Sequence, residues 1–162
     1  MNKQFKRGFT FVELVVVIGI IAMLSSFITL NFFKTQNTVS LETTVSLFIS
    51  DLKAQQLNMM SGNTNGQAAN IPFGIHFDQN RYVLYHSSAY SSNDSGNFVV
   101  NLNNGVTFSQ INLPNSALVF ASGSGEIQGY NQSQNTITLQ NGNSGDQKTI
   151  TVNRYGVITS VN

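Results

Sequence analysis

From Leu14 to Phe33 the chain carries no ionisable side chain, and a helix of about 20 apolar residues is the length that crosses roughly 30 Å of hydrocarbon. A core helix in a protein this small usually keeps one polar face, so the run is expected to be a membrane span. Lys6 and Arg7 stand immediately before it, whereas Lys34 follows alone. That excess of positive charge on one flank places the N-terminus in the cytoplasm and the C-terminal part outside. At 162 residues the chain has room for one further domain beyond such a span.

The flanks of the run raise a processing question and an electrostatic one. An ordinary secretory signal has a small-residue cleavage site after its apolar region, and no A-x-A-like site follows here. The place for a cut is instead before the span, at Gly8, where a residue without a side chain can lie extended in a peptidase. Glu13 stands at the mouth of the apolar run. A carboxyl group there is costly, by about 2.5 to 3.5 kcal/mol at mid-span and less near the interface, and needs a partner. A cut after Gly8 would supply one, because Phe9 would expose an α-amine with an ordinary pKa of roughly 7.7 to 8.0, one helical turn from Glu13. An amine on a neighbouring helix would serve equally, and would fix the axial stagger between the two chains.

The residues "RGFTFVELVVVIGI", Arg7 to Ile20, resemble the N-terminus of type IV prepilins and type II secretion pseudopilins. The resemblance implies a leader, residues 1–8, removed by a membrane-embedded prepilin peptidase between Gly8 and Phe9. It implies N-methylation of Phe9 and a role for Glu13 in neutralising the amine of an adjacent subunit during filament assembly. Residues 9–33 would be the membrane span and later the filament core. Many pilins carry a proline about 20 residues after the cut; here none lies near Leu30, and Gly19 and Ser25-Ser26 are the weak points of the helix.

Beyond Lys34 the pattern turns amphipathic. Leu41, Val45, Phe48, Leu52 and Met59 fall on one helical face, broadened by Ile49 and Leu57. The spacing predicts that one long helix continues, over 34–62, to about Met60, where "SGNTNG" ends it. From Ile71 the period changes to two. "FGIHFDQNRYVLYH" reads as a hairpin, Phe73 to Phe77 and Tyr82 to His86, turning at Gln79-Asn80. Further strands are expected at "FVVNL", "GVTF", "ALVF", "NTITLQ", "KTITV" and "YGVIT", separated by turns such as Asn104-Gly105 and Asn141-Gly142. The expected class is α+β: a long N-terminal helix packed on an antiparallel β-sheet domain over 71–162. "SSAYSSNDSGN", residues 87–97, is a polar loop and the expected variable segment.

The order of helix, "FGIHF…YVLY", "LVFASGSGEI", "NTITL" and "KTITVNRYGVI" is similar to the GspH/FimT class of minor pseudopilins, although "LKAQQLN" stands where that class often has an arginine. The similarity implies a structural subunit of a type II secretion pseudopilus or a type IV pilus. Such a subunit sits in the bacterial inner membrane before assembly, with its C-terminal domain outside. The implied partners are the prepilin peptidase, other pilin or pseudopilin subunits, membrane lipid and possible secreted cargo.

Little in the rest of the chain suggests catalysis. There is no cysteine, which excludes disulfide frameworks, thiolate metal sites and cysteine nucleophiles. His76 and His86 are the two histidines. With Phe77 opposite Tyr82, Ile75 meets Leu84 and Phe73 meets His86, so His76 points to the other face and the pair cannot share a metal. Each is expected on the strand surface or supporting a turn. Asp51, Asp78, Asp94, Glu126 and Asp146 lie in separate elements without a paired acid/base spacing. "SGSGE", Ser122 to Glu126, lacks the Lys-Ser/Thr of a phosphate loop and reads as a turn. No catalytic residue, metal or cofactor is expected. Some FimT-like pilins capture DNA, and Lys148 and Arg154 are the weak candidates for such contacts here. Affinity for DNA requires clustered Lys and Arg, and the soluble part offers only Lys53, Arg81, Lys148 and Arg154 against six acids, so DNA is not the expected partner.

Overall fold

The structure, a computed structural model, describes residues 8–62, 71–87 and 89–162, and the side chains of 27–38 lie outside that description. The chain divides into two compact units, Met1–Gln36 and Asn37–Asn162, and each is taken by itself. One helix, α1 (Phe11–Met60), supplies residues to both.

In the first unit the described side chains from Phe11 to Leu24 are exposed, including Val12, Val15, Ile18 and Ile21. Gly19 and Ser25 do not interrupt the helix. The Ser25 hydroxyl donates back to the Ile21 carbonyl over 2.8 Å, a bond that a helix accommodates. Among the described residues no helix is long and apolar enough to cross a membrane. The span expected from Leu14 to Phe33 runs past Ser26 into side chains outside the described residues, and so do the leader residues Lys6 and Arg7.

In the second unit the helix ends at Met60, with Gly62 at φ +67° accepting the left-handed turn that follows a helix. Its buried face runs Leu41, Thr44, Val45, Phe48, Leu52, Gln55, Met59, in steps of three and four residues apart from the adjacent pair Thr44-Val45. Leu57 does not broaden this face: it is 63% exposed, and Gln55 occupies the buried position instead. Ile49 does pack on the core.

Eight strands follow: β1 (Phe73–Asp78), β2 (Arg81–His86), β3 (Phe98–Asn101), β4 (Val106–Asn112), β5 (Ala117–Phe120), β6 (Thr136–Asn141), β7 (Gln147–Val152) and β8 (Ile158–Val161). They form two antiparallel sheets, in the orders β3-β2-β1-β5 and β4-β6-β7-β8. The first hairpin has the expected register, Phe77 opposite Tyr82, Ile75 opposite Leu84 and Phe73 opposite His86.

Two strands, β4 and β8, differ from expectation by more than one residue. β4 runs on to Asn112 because an irregularity at Ser109 lets it resume pairing with β6. The closing strand begins at Ile158, not at Tyr155. The Asn153 side-chain oxygen accepts from the Tyr155 and Val157 amides, at 2.9 and 3.0 Å, and folds those residues into a turn.

The helix face and both sheets meet in one core, with Phe48, Ile75, Leu118, Phe120, Ile137, Leu139 and Ile150 fully enclosed. Phe48 is 5.6 Å from Phe77 and 5.5 Å from Tyr82, ring edges to faces. The architecture is α+β, consistent with a pilin-like fold.

Candidate functional site

Residues Gly8 to Thr10 precede the helix without regular structure and are exposed, Phe9 at 86%. A Cβ built on Gly8 would meet no atom within 4 Å.

One turn later the helix start explains itself. The Thr10 hydroxyl accepts from the Glu13 amide at 3.2 Å, while the Glu13 Oε2 accepts from the Thr10 amide at 2.8 Å and from the Thr10 hydroxyl at 2.9 Å. This is a reciprocal capping box, Thr10 at the N-cap and Glu13 at the third helical position, and it satisfies backbone donors that no helical turn can reach. Leu14 closes the first full turn onto the Thr10 carbonyl. Glu13 thus has a partner within its own chain. Thr10 is the residue that sequence reasoning missed, and its signal was present: "TFVE" has the Ser/Thr-x-x-Glu spacing of a capping box.

The other singled-out residues lie in the second unit. Lys148 is on β7, with its ammonium 3.6 Å from the Glu42 carboxylate of α1. Arg154 follows β7, and its guanidinium donates to Glu126 at 3.2 and 3.3 Å. Arg81 pairs with Asp78 at 2.7 Å. Three of the four charges that could have met a phosphate, Arg81, Lys148 and Arg154, therefore already face a carboxylate, in pairs exposed enough to add little stability.

The histidines separate as expected but do not both lie at the surface. His76 stacks on Tyr90 at 3.9 Å and stands 3.6 Å from Asp78; burial holds its pKa below the ordinary histidine value, against the opposing pull of Asp78. His86 is buried, stacked on Phe73 at 4.0 Å, with Nε2 on the Ile71 carbonyl at 3.0 Å. Asp51 accepts a 2.5 Å bond from the buried Tyr82 hydroxyl. "SGSGE" is a turn, closed by the Ala121 amide on the Glu126 carbonyl at 2.7 Å, and its Gly123 amide reaches the Met59 carbonyl at the end of α1. Among the described residues no three His, Asp or Glu side chains gather in a way that could hold a metal.

Residues 3–29 match the family model described as "Prokaryotic N-terminal methylation motif". The matched stretch contains Lys6, Arg7, Gly8, Phe9, Thr10 and Glu13, and the match supports the pilin and pseudopilin superfamily. No curated protein and no solved structure compared with the chain gave a match.

Proposed function

We propose that this protein is a minor pilin or pseudopilin of the GspH/FimT class. It enters the inner membrane through residues 9–33 with Lys6 and Arg7 on the cytoplasmic side, is cut by prepilin peptidase after Gly8, and is methylated on Phe9. It then joins or primes the filament of a type II secretion system or a type IV pilus. The single observation that supports the reading is the methylation-motif match over residues 3–29, a stretch in which Phe9 is exposed and Glu13, four residues on, accepts from Thr10.

In this reading Glu13 has two tasks in sequence. Before assembly its Oε2 caps the helix through Thr10, which lowers the cost of holding a carboxyl group near the membrane interface. During assembly its charge meets the Phe9 amine of an adjacent subunit and sets the stagger between helices. The β-rich unit then lies on the filament surface, where it contacts other subunits or secreted cargo.

Glu13→Gln separates the two tasks, because glutamine supports a capping box but carries no charge. The variant is expected to be cut normally and to fail to enter the filament when expressed in place of the native subunit. Normal incorporation, read by immunoblot of sheared filaments, would reduce Glu13 to a helix cap. Gly8→Val is expected to leave the leader attached and the protein in the membrane fraction.

A further inference from the structure

On the face of the first sheet turned away from the core lies a cavity of about 430 Å³, within the range of about 300 to 1,000 Å³ usual for small-molecule sites. Strand alternation builds its floor. Phe73, Ile75 and Phe77 of β1 are buried in the core, so Gly74 and His76 lie on the opposite face. Their β5 partners, Val119 and Ala117, line the cavity together with His76. The Tyr90 ring, from the loop after β2, stacks on His76 at 3.9 Å and joins the lining. The turn Pro114–Ser116 adds Pro114 and Asn115. Asn115 and Ser116 hold φ 54° and 51°, a left-handed backbone that costs about 1 to 3 kcal/mol in residues other than glycine. Gln128, also in the lining, is drawn to β5 by its amide, which donates to the Val119 carbonyl at 2.8 Å.

Tyr85 lines the same cavity and is only 3% exposed. It stands opposite Gly74 in the β1–β2 register, and its ring lies across that glycine: a Cβ there would come 2.6 Å from the hydroxyl oxygen. Gly74 is thus the residue that lets Tyr85 fold onto β1. The hydroxyl has no hydrogen-bond partner among the described residues, and burial alone raises its pKa. Buried hydroxyls are nearly always satisfied, so an unmet one beside a cavity asks for a ligand.

The lining contains no lysine, arginine, aspartate or glutamate, which disfavours phosphates, carboxylates and ammonium groups alike. Its polar side chains, Tyr85, His76, Asn115 and Gln128, each offer both a donor and an acceptor. His76 does so because burial lowers its pKa and keeps the ring neutral. A ligand whose single atoms both donate and accept is a polyol. Ala117, Val119 and the tyrosine rings complement an apolar C–H face, and the polyol with such a face is a sugar ring. Taken as round, the cavity is roughly 9 Å across, the span of fewer than three extended residues, so a sugar ring suits it better than a peptide segment.

We propose that this cavity binds a neutral pyranose ring, with its hydroxyls on Tyr85, His76, Asn115 and Gln128 and its C–H face on the apolar and aromatic surface. A free sugar and one unit of a glycan polymer share that chemistry. The inference goes beyond the filament role, rests on the second unit alone and does not depend on leader cleavage or assembly.

The test is a titration of the full-length protein, with carbon-13 in its tyrosine rings, in micelles of a sugar-free phosphocholine detergent. The probes are the methyl glycosides of glucose, galactose, mannose and N-acetylglucosamine. At least one is expected to shift the Tyr85 and Tyr90 resonances saturably, while those of Tyr82, whose ring packs on Phe48 in the core, stay in place. Tyr85→Phe, which removes only the unpartnered hydroxyl, should leave stability unchanged and weaken that binding by about three- to tenfold, the worth of one neutral hydrogen bond. Tighter binding of the matching tetrasaccharide would assign the site to a glycan polymer, and equal binding to a free sugar. Three results would overturn the proposal: Tyr85 resonances unmoved by all four glycosides, unchanged affinity in Tyr85→Phe, or saturable binding of a proline-rich peptide in place of the glycosides. The comparison among ligands on the native chain stands even where a variant fails to fold.

Discussion

Tyr82 joins the helix to the first sheet through a single proton. Its hydroxyl donates to Asp51, and burial first, then that bond and the charge behind it, raise its pKa above the ordinary tyrosine value. The neutral form is thus the one the fold holds. Below pH 10 the contribution is complete; above it the unfolded chain loses its proton while the folded one keeps it, and stability falls with rising pH by about 1.4 kcal/mol per unit for this one group. Urea unfolding between pH 9 and 11 is expected to show that steepening, and Tyr82→Phe to reduce it. A second residue-scale prediction concerns Gly156, at φ +71°, where a Cβ would come 2.5 Å from the Gln56 amide nitrogen. That nitrogen donates to the Tyr155 and Gly125 carbonyls at 2.6 and 3.0 Å and ties the helix to two turns. Gly156→Ala should cost about 1 to 3 kcal/mol in the same assay. Neither link was legible in the sequence, because both join residues far apart in the chain through polar side chains that carry no periodic signal.

At the scale of elements, legibility followed hydrophobic period. The eight strands were readable because each is a short run rich in β-branched and aromatic residues bounded by polar turn residues, and the β1–β2 register because its short turn leaves few pairings that bury Phe73, Ile75 and Phe77 together. Their division into two sheets was not readable, since β5 pairs with β1 across three intervening strands and β4 with β6, and sheet order is decided by contacts remote in sequence. The helix face was correct in its apolar members and wrong at Leu57, because a polar residue, Gln55, stands at the position that completes the face. Phe48→Ala, which empties the space between Phe77, Tyr82 and Phe108, should lower stability by about 3 to 5 kcal/mol, whereas the exposed Leu57 truncated to Ala should change it by less than about 0.5 kcal/mol. Equal losses from the two would contradict the face described.

At the scale of the whole molecule, the first unit carries exposed apolar side chains and the second a packed core; in the proposed function the first serves lipid or other helices and the second a surface. The paired state of Arg81, Lys148 and Arg154 leaves little net positive charge for nucleic acid. The full-length protein is expected not to retard duplex DNA at physiological salt in a gel-shift assay. Processing after Gly8 is the claim on which the proposed function depends. Mass spectrometry of the protein from cells that also make a prepilin peptidase tests it directly. The account predicts a mature chain that begins at Phe9 and carries one added methyl group on its amine. A chain that retains residues 1–8, or begins beyond the apolar run, would contradict it.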